Sequence, residues 1–309
     1  MPQTRRDLLR SIGLSTAIYM SNSESVHADP LNRPVGLQLY TVGDALGKDF
    51  NGTLKQVAAI GYREVELAQT FNKSAAELRT AFSDNGLSCR SVHMFDFQQT
   101  PAQFMDFAKE VGAKYVVTSF NPPARALAAM KGDKPDFAVL IAALESMTLD
   151  DYRRSADTSN TLGREAKSRG LQYAYHNHNL EFKKFGDVTA YDTLIQSTDH
   201  ELVKFELDCG WVSAAGYDPV AYLNNYPDRY RMLHIKAFKP GPPTLSLAGP
   251  QGPKPTELGR GAPDYEPIFA AAKHAGVEQY YVEQEPPFSE MSALEAAKVD
   301  YEFLHKLQV

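Results

Sequence analysis

The chain has 309 residues, 23% of them charged and 43% hydrophobic, with a formal net charge of −6 at pH 7. An acidic chain without a long basic run argues against nucleic acid or an anionic membrane surface as a partner. Two cysteines, Cys89 and Cys209, are too few for a disulfide framework or a thiolate zinc site.

The chain opens on what reads as an address. Thr4-Arg5-Arg6-Asp7 places paired arginines ahead of a short, mildly apolar stretch from Ser11 to Met20, and Val26-His27-Ala28 follows. A basic head, a weak apolar middle and small residues at the end mark residues 1–28 as a twin-arginine export signal. The bland alternative is an amphipathic N-terminal helix. The stretch is far shorter than the roughly 20 apolar residues of a spanning helix, and no later segment reaches that length. With the twin-arginine signal, a location in the periplasm or outside the cell is expected. Losing the segment removes three arginines and two acids, which moves the formal charge to −7.

Short β-rich runs then recur, separated by helical patterns. The first four predicted strands are Val35 to Tyr40, Glu64 to Leu67, Cys89 to His93 and Tyr115 to Thr118. The second four are Gln172 to His176, Val203 to Asp208, Met232 to Lys236 and Tyr280 to Glu283. Between them, apolar residues recur at three- and four-residue spacing over Thr53 to Ile60, Ser74 to Phe82, Ala102 to Val111 and Ser155 to Ser168. The pattern returns over Asp192 to Gln196, Pro219 to Asn224, Tyr265 to His274 and Met291 to Leu307. Glycines 61, 86, 112, 170 and 276 stand where helices end before the next strand.

Strict alternation of strand and helix requires a parallel sheet, and eight units predict an α/β fold, a single-domain (β/α)₈ TIM barrel over residues 34–309. An open doubly wound sheet would carry a glycine-rich phosphate loop after its first strand, and Thr41 to Gly47 lacks that fingerprint. Cys89 falls early in the third strand and Cys209 at the end of the sixth, so no bridge between them is expected. Two long segments, 121–150 and 239–256, fall on the C-terminal face, where active sites of this fold sit.

The ionisable residues cluster at the same end of the strands. Glu66 ends the second strand and His93 the third; the fifth runs into His176-Asn177-His178-Asn179. Asp208 ends the sixth, His234 lies in the seventh, and the eighth delivers Glu283. One strand histidine is more often a hydrogen-bonded core residue, and one strand-end carboxylate more often a cap. Several converging on one mouth supply the mixed nitrogen and oxygen donors of a divalent metal ion. Alternation puts His176 and His178 on one face, so either could be the ligand, with the other touching substrate or serving as acid or base.

Tyr175-His176-Asn177-His178-Asn179-Leu180-Glu181-Phe182, Glu206-Leu207-Asp208-Cys209-Gly210-Trp211, Leu233-His234-Ile235-Lys236 and Tyr281-Val282-Glu283-Gln284 resemble the sugar phosphate isomerase/epimerase superfamily, the xylose-isomerase-like barrels. The resemblance implies a divalent ion, Mn²⁺ first and Zn²⁺, Co²⁺ or Mg²⁺ as alternatives, held by His176, Asp208, His234 and Glu283. In epimerases of the group the fifth-strand ligand is a carboxylate; here it is histidine, as in the branch containing inosose dehydratase. Epimerases use two ligand glutamates as paired acid/base groups, so a simple two-base epimerisation is in doubt. Trp211 stands where epimerases often have histidine.

The chemistry implied is proton removal next to a carbonyl of a sugar, keto-sugar or cyclic polyol through an enediolate. Glu283, His178 and Glu66 are the catalytic candidates, and His93, Lys236, Asn179, Trp211 and Arg260 the substrate-binding ones. Reprotonation would give an isomerase or epimerase, and elimination a dehydratase or lyase of a keto-glycoside. Arg260 and Lys239 offer no clear phosphate nest, which disfavours a phosphorylated substrate. The superfamily's apurinic-site endonucleases need a basic DNA face that an acidic chain lacks. The non-enzyme alternative is a periplasmic sugar-binding protein, which would give Asp208, His234 and Glu283 no reason to converge. Barrels of this kind often associate, so a homo-oligomer is compatible with the sequence.

Overall fold

The computed structural model describes residues 29–307 apart from 95–98, 130–136, 248 and 289, so the predicted export signal lies outside the described residues. Eight parallel strands close into a barrel: β1 Gly36–Gln38, β2 Glu64–Leu67, β3 Ser88–His93, β4 Tyr115–Thr118, β5 Gln172–His176, β6 Val203–Asp208, β7 Tyr230–Ile235 and β8 Gln279–Val282. Each pairs with its neighbours in sequence, and β1 closes the ring on β8 through Gly36 opposite Tyr281 and Leu37 opposite Val282.

A helix follows every strand: α1 Phe50–Ile60, α2 Ala75–Asp84, α3 Pro101–Val111, α4 Leu149–Ser168, α5 Ala190–Ser197, α6 Pro219–Asn225, α7 Tyr265–Ala275 and α8 Ala293–Lys306. Five of them start on a capping box, in which a Ser or Thr side chain and the carboxylate or amide three residues on satisfy each other's free backbone N–H groups. Gly112 and Gly276 end α3 and α7 in left-handed conformations that a Cβ would oppose. Apolar stripes such as Leu54 and Val57, Leu78 and Phe82, and Phe104, Met105 and Ala108 bury against the outside of the barrel.

Inside the barrel, Tyr115, Val117, Ala174, Met232 and Tyr281 make a separate apolar plug. It fills the floor and leaves the strands' C-terminal ends to polar residues, as a packed barrel interior requires.

Several boundaries differ from the sequence reading. β1 stops at Gln38 because Leu39–Val42 turn into a 3₁₀ segment. The fourth helix begins at Leu149, six residues before the predicted start, because Thr148 and Asp151 form its capping box. Among the described residues of segment 121–150, helices Ala124–Ala129 and Phe137–Glu145 precede α4. The 239–256 loop is closed at its base by a ribbon pairing Ala237–Phe238 with Pro255–Thr256. Cys89 and Cys209 are both buried and free, as expected. No helix among the described residues is long and apolar enough to cross a membrane.

Candidate active site

Strand alternation builds the site. On β7 the inward face carries Met232 and His234, and one further step places Lys236 at the mouth. On β6 the same rule aligns Lys204, Glu206 and Asp208, and on β8 it aligns Tyr281, Glu283 and Glu285. On β5 it aligns Ala174, His176 and, beyond the strand end, His178. The result is a polar ring directly above the apolar plug.

Glu206, which the sequence reading did not single out, is the hub of that ring. Its side chain is fully buried, and Oε2 lies 3.0 Å from His93 Nε2, 2.9 Å from His176 Nδ1 and 3.3 Å from His234 Nε2. Glu66 is a second anchor: Oε2 lies 2.6 Å from His234 Nε2 and 3.2 Å from His93 Nε2. Glu66 is itself fixed by Gln38, which donates to it at 2.7 Å, and by the Ser91 hydroxyl. His93 Nδ1 is held by the Ser119 hydroxyl at 3.1 Å.

The nitrogens that remain face the other carboxylates. His234 Nδ1 lies 3.1 Å from Glu283 Oε2 and 3.9 Å from Asp208 Oδ2, and His176 Nε2 lies 3.9 Å from the same Asp208 oxygen. Asp208 Oδ1 caps the short helix Cys209–Ala214 by accepting from Trp211 N at 2.8 Å. That bond fixes the carboxylate and turns Oδ2 toward the imidazoles, where it makes no hydrogen bond. The Lys236 ammonium lies against this cluster, 3.3 Å from Asp208 Oδ2 and 2.7 Å from Glu283 Oε2, and it also pairs with Glu285.

Burial acts on every member, and the neighbours decide the outcome. Burial, reinforced by the nearby His234 charge, drives His176 well below the usual imidazole range, so it is neutral. Burial and the Lys236 charge do the same to His178. For His234, burial opposes the charged form, but Glu206 and Glu66 outweigh it and raise the ring well above the usual imidazole range, so an ion taking Nδ1 would have to displace a proton. Burial and the Glu66 charge push Glu206 up to about 7. Burial opposes the charge on Lys236, and Asp208 and Glu283 overcome it.

These residues fit a divalent metal ion. Two overlapping groups, His93 with His176, Glu206 and His234, and Asp208 with His234 and Glu283, each bring donor atoms within 4.8 Å of one another. A tetrahedral ion about 2.0–2.1 Å from its ligands separates the donor atoms by roughly 3.3 Å; His234 Nδ1 lies 3.1 Å from Glu283 Oε2 and 3.9 Å from Asp208 Oδ2, and His176 Nε2 lies 3.9 Å from Asp208 Oδ2. Glu206 belongs to the first group, and with Oε2 facing three imidazole nitrogens it is also placed to orient them. Asp208 Oδ2, His234 Nδ1 and Glu283 Oε2, with His176 Nε2 beside Asp208, are atoms that could hold the ion.

The remaining candidates divide. His178 comes to the centre: its ring lies 5.0 Å from that of His176 and stacks on Phe120 at 4.5 Å, and its buried Nδ1 has no hydrogen-bond partner. Trp211 is buried and reaches the centre through Lys236, whose ammonium sits 5.2 Å from the indole centroid, and through His178. Asn179 is drawn into structure, donating to the Thr244 and Ser246 carbonyls and so pinning the long loop after β7. Arg260 is not brought into the ring: it pairs with Glu257 at 3.1 Å and Glu290 at 3.5 Å, and these two carboxylates take up its charge. Alternation could have found Glu206, two residues before Asp208, and Glu285, two after Glu283.

A closed parallel barrel with imidazoles and carboxylates gathered at one strand end defines the class: a (β/α)₈ barrel enzyme with a centre able to hold a divalent ion. The family model for the xylose isomerase-like TIM barrel matches residues 54–307, and the chain belongs to that family. It is 27% identical over 242 residues to an inosose dehydratase of Clostridium beijerinckii, covering 72% of this chain and 78% of that relative. Its fold is similar to that of a sugar phosphate isomerase/epimerase from Parabacteroides distasonis, with a TM-score of 0.69, 22% identity and coverage of 88% and 93% of the two chains. It is also similar to the IolI protein with a bound zinc atom, with a TM-score of 0.63, 16% identity and coverage of 87% and 96%.

Proposed function

We propose that this protein is a divalent-metal-dependent lyase that removes a hydroxyl or alkoxyl group from a keto-sugar, a keto-glycoside or a cyclic polyol ketone. The single observation that carries the reading is the oriented donor set. His234 Nδ1 lies 3.1 Å from Glu283 and 3.9 Å from Asp208, and His176 Nε2 lies 3.9 Å from Asp208, while Glu206 and Glu66 fix the outer nitrogens of the two imidazoles. A bound ion, with Mn²⁺ the first expectation, would supply Lewis-acid polarisation of the substrate carbonyl.

The chain's own groups supply the proton transfers. His178 is kept neutral by burial and has an unpartnered Nδ1, so it can take the proton from the carbon next to the carbonyl. Lys236 is held protonated beside Asp208 and Glu283 and can donate to the departing oxygen, which leaves as water or an alcohol. Glu283 touches both Lys236 and His234 and can relay protons between substrate and ammonium. Elimination is favoured over epimerisation because the β5 position holds neutral His176 where a two-base epimerase needs a carboxylate. The resemblance to inosose dehydratases supports the same choice.

The twin-arginine segment, residues 1–28, supports export to the periplasm or beyond, with an unphosphorylated sugar as substrate. Lysine at both Arg5 and Arg6 is expected to retain the full-length chain inside the cell, as fractionation would show.

Metal analysis of the purified protein beside the Asp208→Ala/His234→Ala double variant tests the centre. Close to one ion per chain, lost in the variant, supports it. A protein that takes up neither Mn²⁺ nor Zn²⁺ but binds sugar would instead be a sugar-binding protein.

A further inference from the structure

A second cavity opens beside the ring. Its walls come from the loops after β1, β2 and β8, and its volume is about 990 Å³, at the upper end of the roughly 300–1,000 Å³ of small-ligand sites. It is lined by Tyr40, Asp44, Gln69, Phe71, Asn72 and Lys73, among others.

The cleft is wired to the catalytic centre by hydrogen bonds. Gln38, which donates to Glu66, accepts from the backbone N–H of Tyr40 at 3.1 Å. The Thr41 hydroxyl in the cleft wall accepts from the N–H of Gln284, between Glu283 and Glu285, at 3.0 Å. The cleft wall and the ring are therefore tied together through residues 38–41 and 283–285.

The lining has the chemistry of a carbohydrate site. Tyr40 is 49% exposed, an unusual position for a large aromatic ring, and it offers a face to the C–H groups of a sugar. Asp44, Gln69, Asn72 and Lys73 supply a carboxylate, two amides and an ammonium for hydroxyls. Phe71 and Asn72 hold consecutive left-handed conformations, φ 52° and 57°, which bulky residues seldom adopt. Strain of this kind collects at ligand sites, where surrounding structure holds it in place. Here it turns the Phe71 ring onto Phe50, with centroids 5.5 Å apart, in the cleft wall.

Resting on the keto-sugar reading above, we infer that this cleft is a subsite for a second sugar ring, so that the substrate is a glycoside whose keto-bearing ring lies at the metal-binding residues. The leaving group or the retained glycosyl substituent then lies along Tyr40, with its hydroxyls on Asn72, Gln69 and Asp44.

The test is a ligand-observed NMR titration of the metal-loaded protein. D-fructose serves as the one-ring ketose, and turanose, maltulose, leucrose and palatinose present that ketose with a glucosyl group at different oxygens. At least one of the four is expected to bind tenfold or more tightly than D-fructose. That gain is expected to fall at least fivefold in Tyr40→Ala and in Asn72→Gly, with D-fructose binding and metal content unchanged. D-fructose binding with no gain from any glucosyl group overturns the subsite, and so does a gain that survives both substitutions. Failure of all five sugars to bind the loaded protein overturns the keto-sugar reading beneath it.

Discussion

His176 Nδ1 lies 2.9 Å from Glu206 Oε2. The carboxylate that β5 lacks is thus present beneath the imidazole, delivered by β6, and it acts on the ligand nitrogen through the ring. A carboxylate behind a histidine fixes the ring's orientation and tautomer and raises its basicity toward an ion on the other side.

Glu206→Gln is therefore expected to weaken metal binding by roughly 10- to 100-fold. The far-ultraviolet circular dichroism should stay that of the wild type. Titration against a competing chelator reads the affinity, and unchanged binding would remove Glu206 from its orienting role.

His178 stands apart from the donor atoms, so His178→Gln is expected to retain metal while turnover falls about 10²- to 10⁴-fold, the range of a lost general acid or base. Metal content measured beside kcat separates this from loss of the centre. Loss of both together would make His178 a ligand.

Lys236 neutralises a buried group of carboxylates, two of which would hold the ion. In Lys236→Met those charges lose their partner, and breaking a buried pair costs about 3–5 kcal/mol. The metal-free variant should melt below the wild type, while the ion, no longer competing with an ammonium, should bind more tightly. Adding metal is then expected to raise the Tm of the variant more than that of the wild type. Equal increments would show that the ammonium does not contend for these oxygens.

Asp300 provides a pH test remote from the centre. Its carboxylate accepts from Leu258 N at 2.7 Å, and burial pushes it up to about 7 from an ordinary value of 3.8. The folded chain binds this proton more tightly than the unfolded chain does, so stability is lost as pH rises from about 4 to above 7. Asp300→Asn keeps an acceptor and cannot ionise. It should match the wild type near pH 4 and exceed it at pH 8, by about 1–4 kcal/mol. Urea unfolding at the two pH values measures the difference, and a gap that does not widen with pH would contradict the sign.

Eight strands were legible in the sequence because each is a short β-rich run bounded by helical periodicity and, in several cases, glycine. The mouth was legible because Glu66, His93, His176, Asp208, His234 and Glu283 all fall at one end of their strands, and in a parallel barrel all those ends meet. The start of α4 was missed although its capping box is written in Thr148 and Asp151, since an apolar stripe is a stronger signal than one polar pair.

The sequence by itself determined the fold class, the face that carries the chemistry and most of the residues on it, because alternation fixes which side of a strand a residue occupies. Only the tertiary structure decided which of those residues touch. That depends on the register between strands: Asp208 pairs with His234, and His234 in turn with Tyr281, while His176 pairs with Glu206. Barrel closure turns these offsets into distances, setting Glu206 beneath three imidazoles, Lys236 against Asp208 and Glu283, and Arg260 outside the ring.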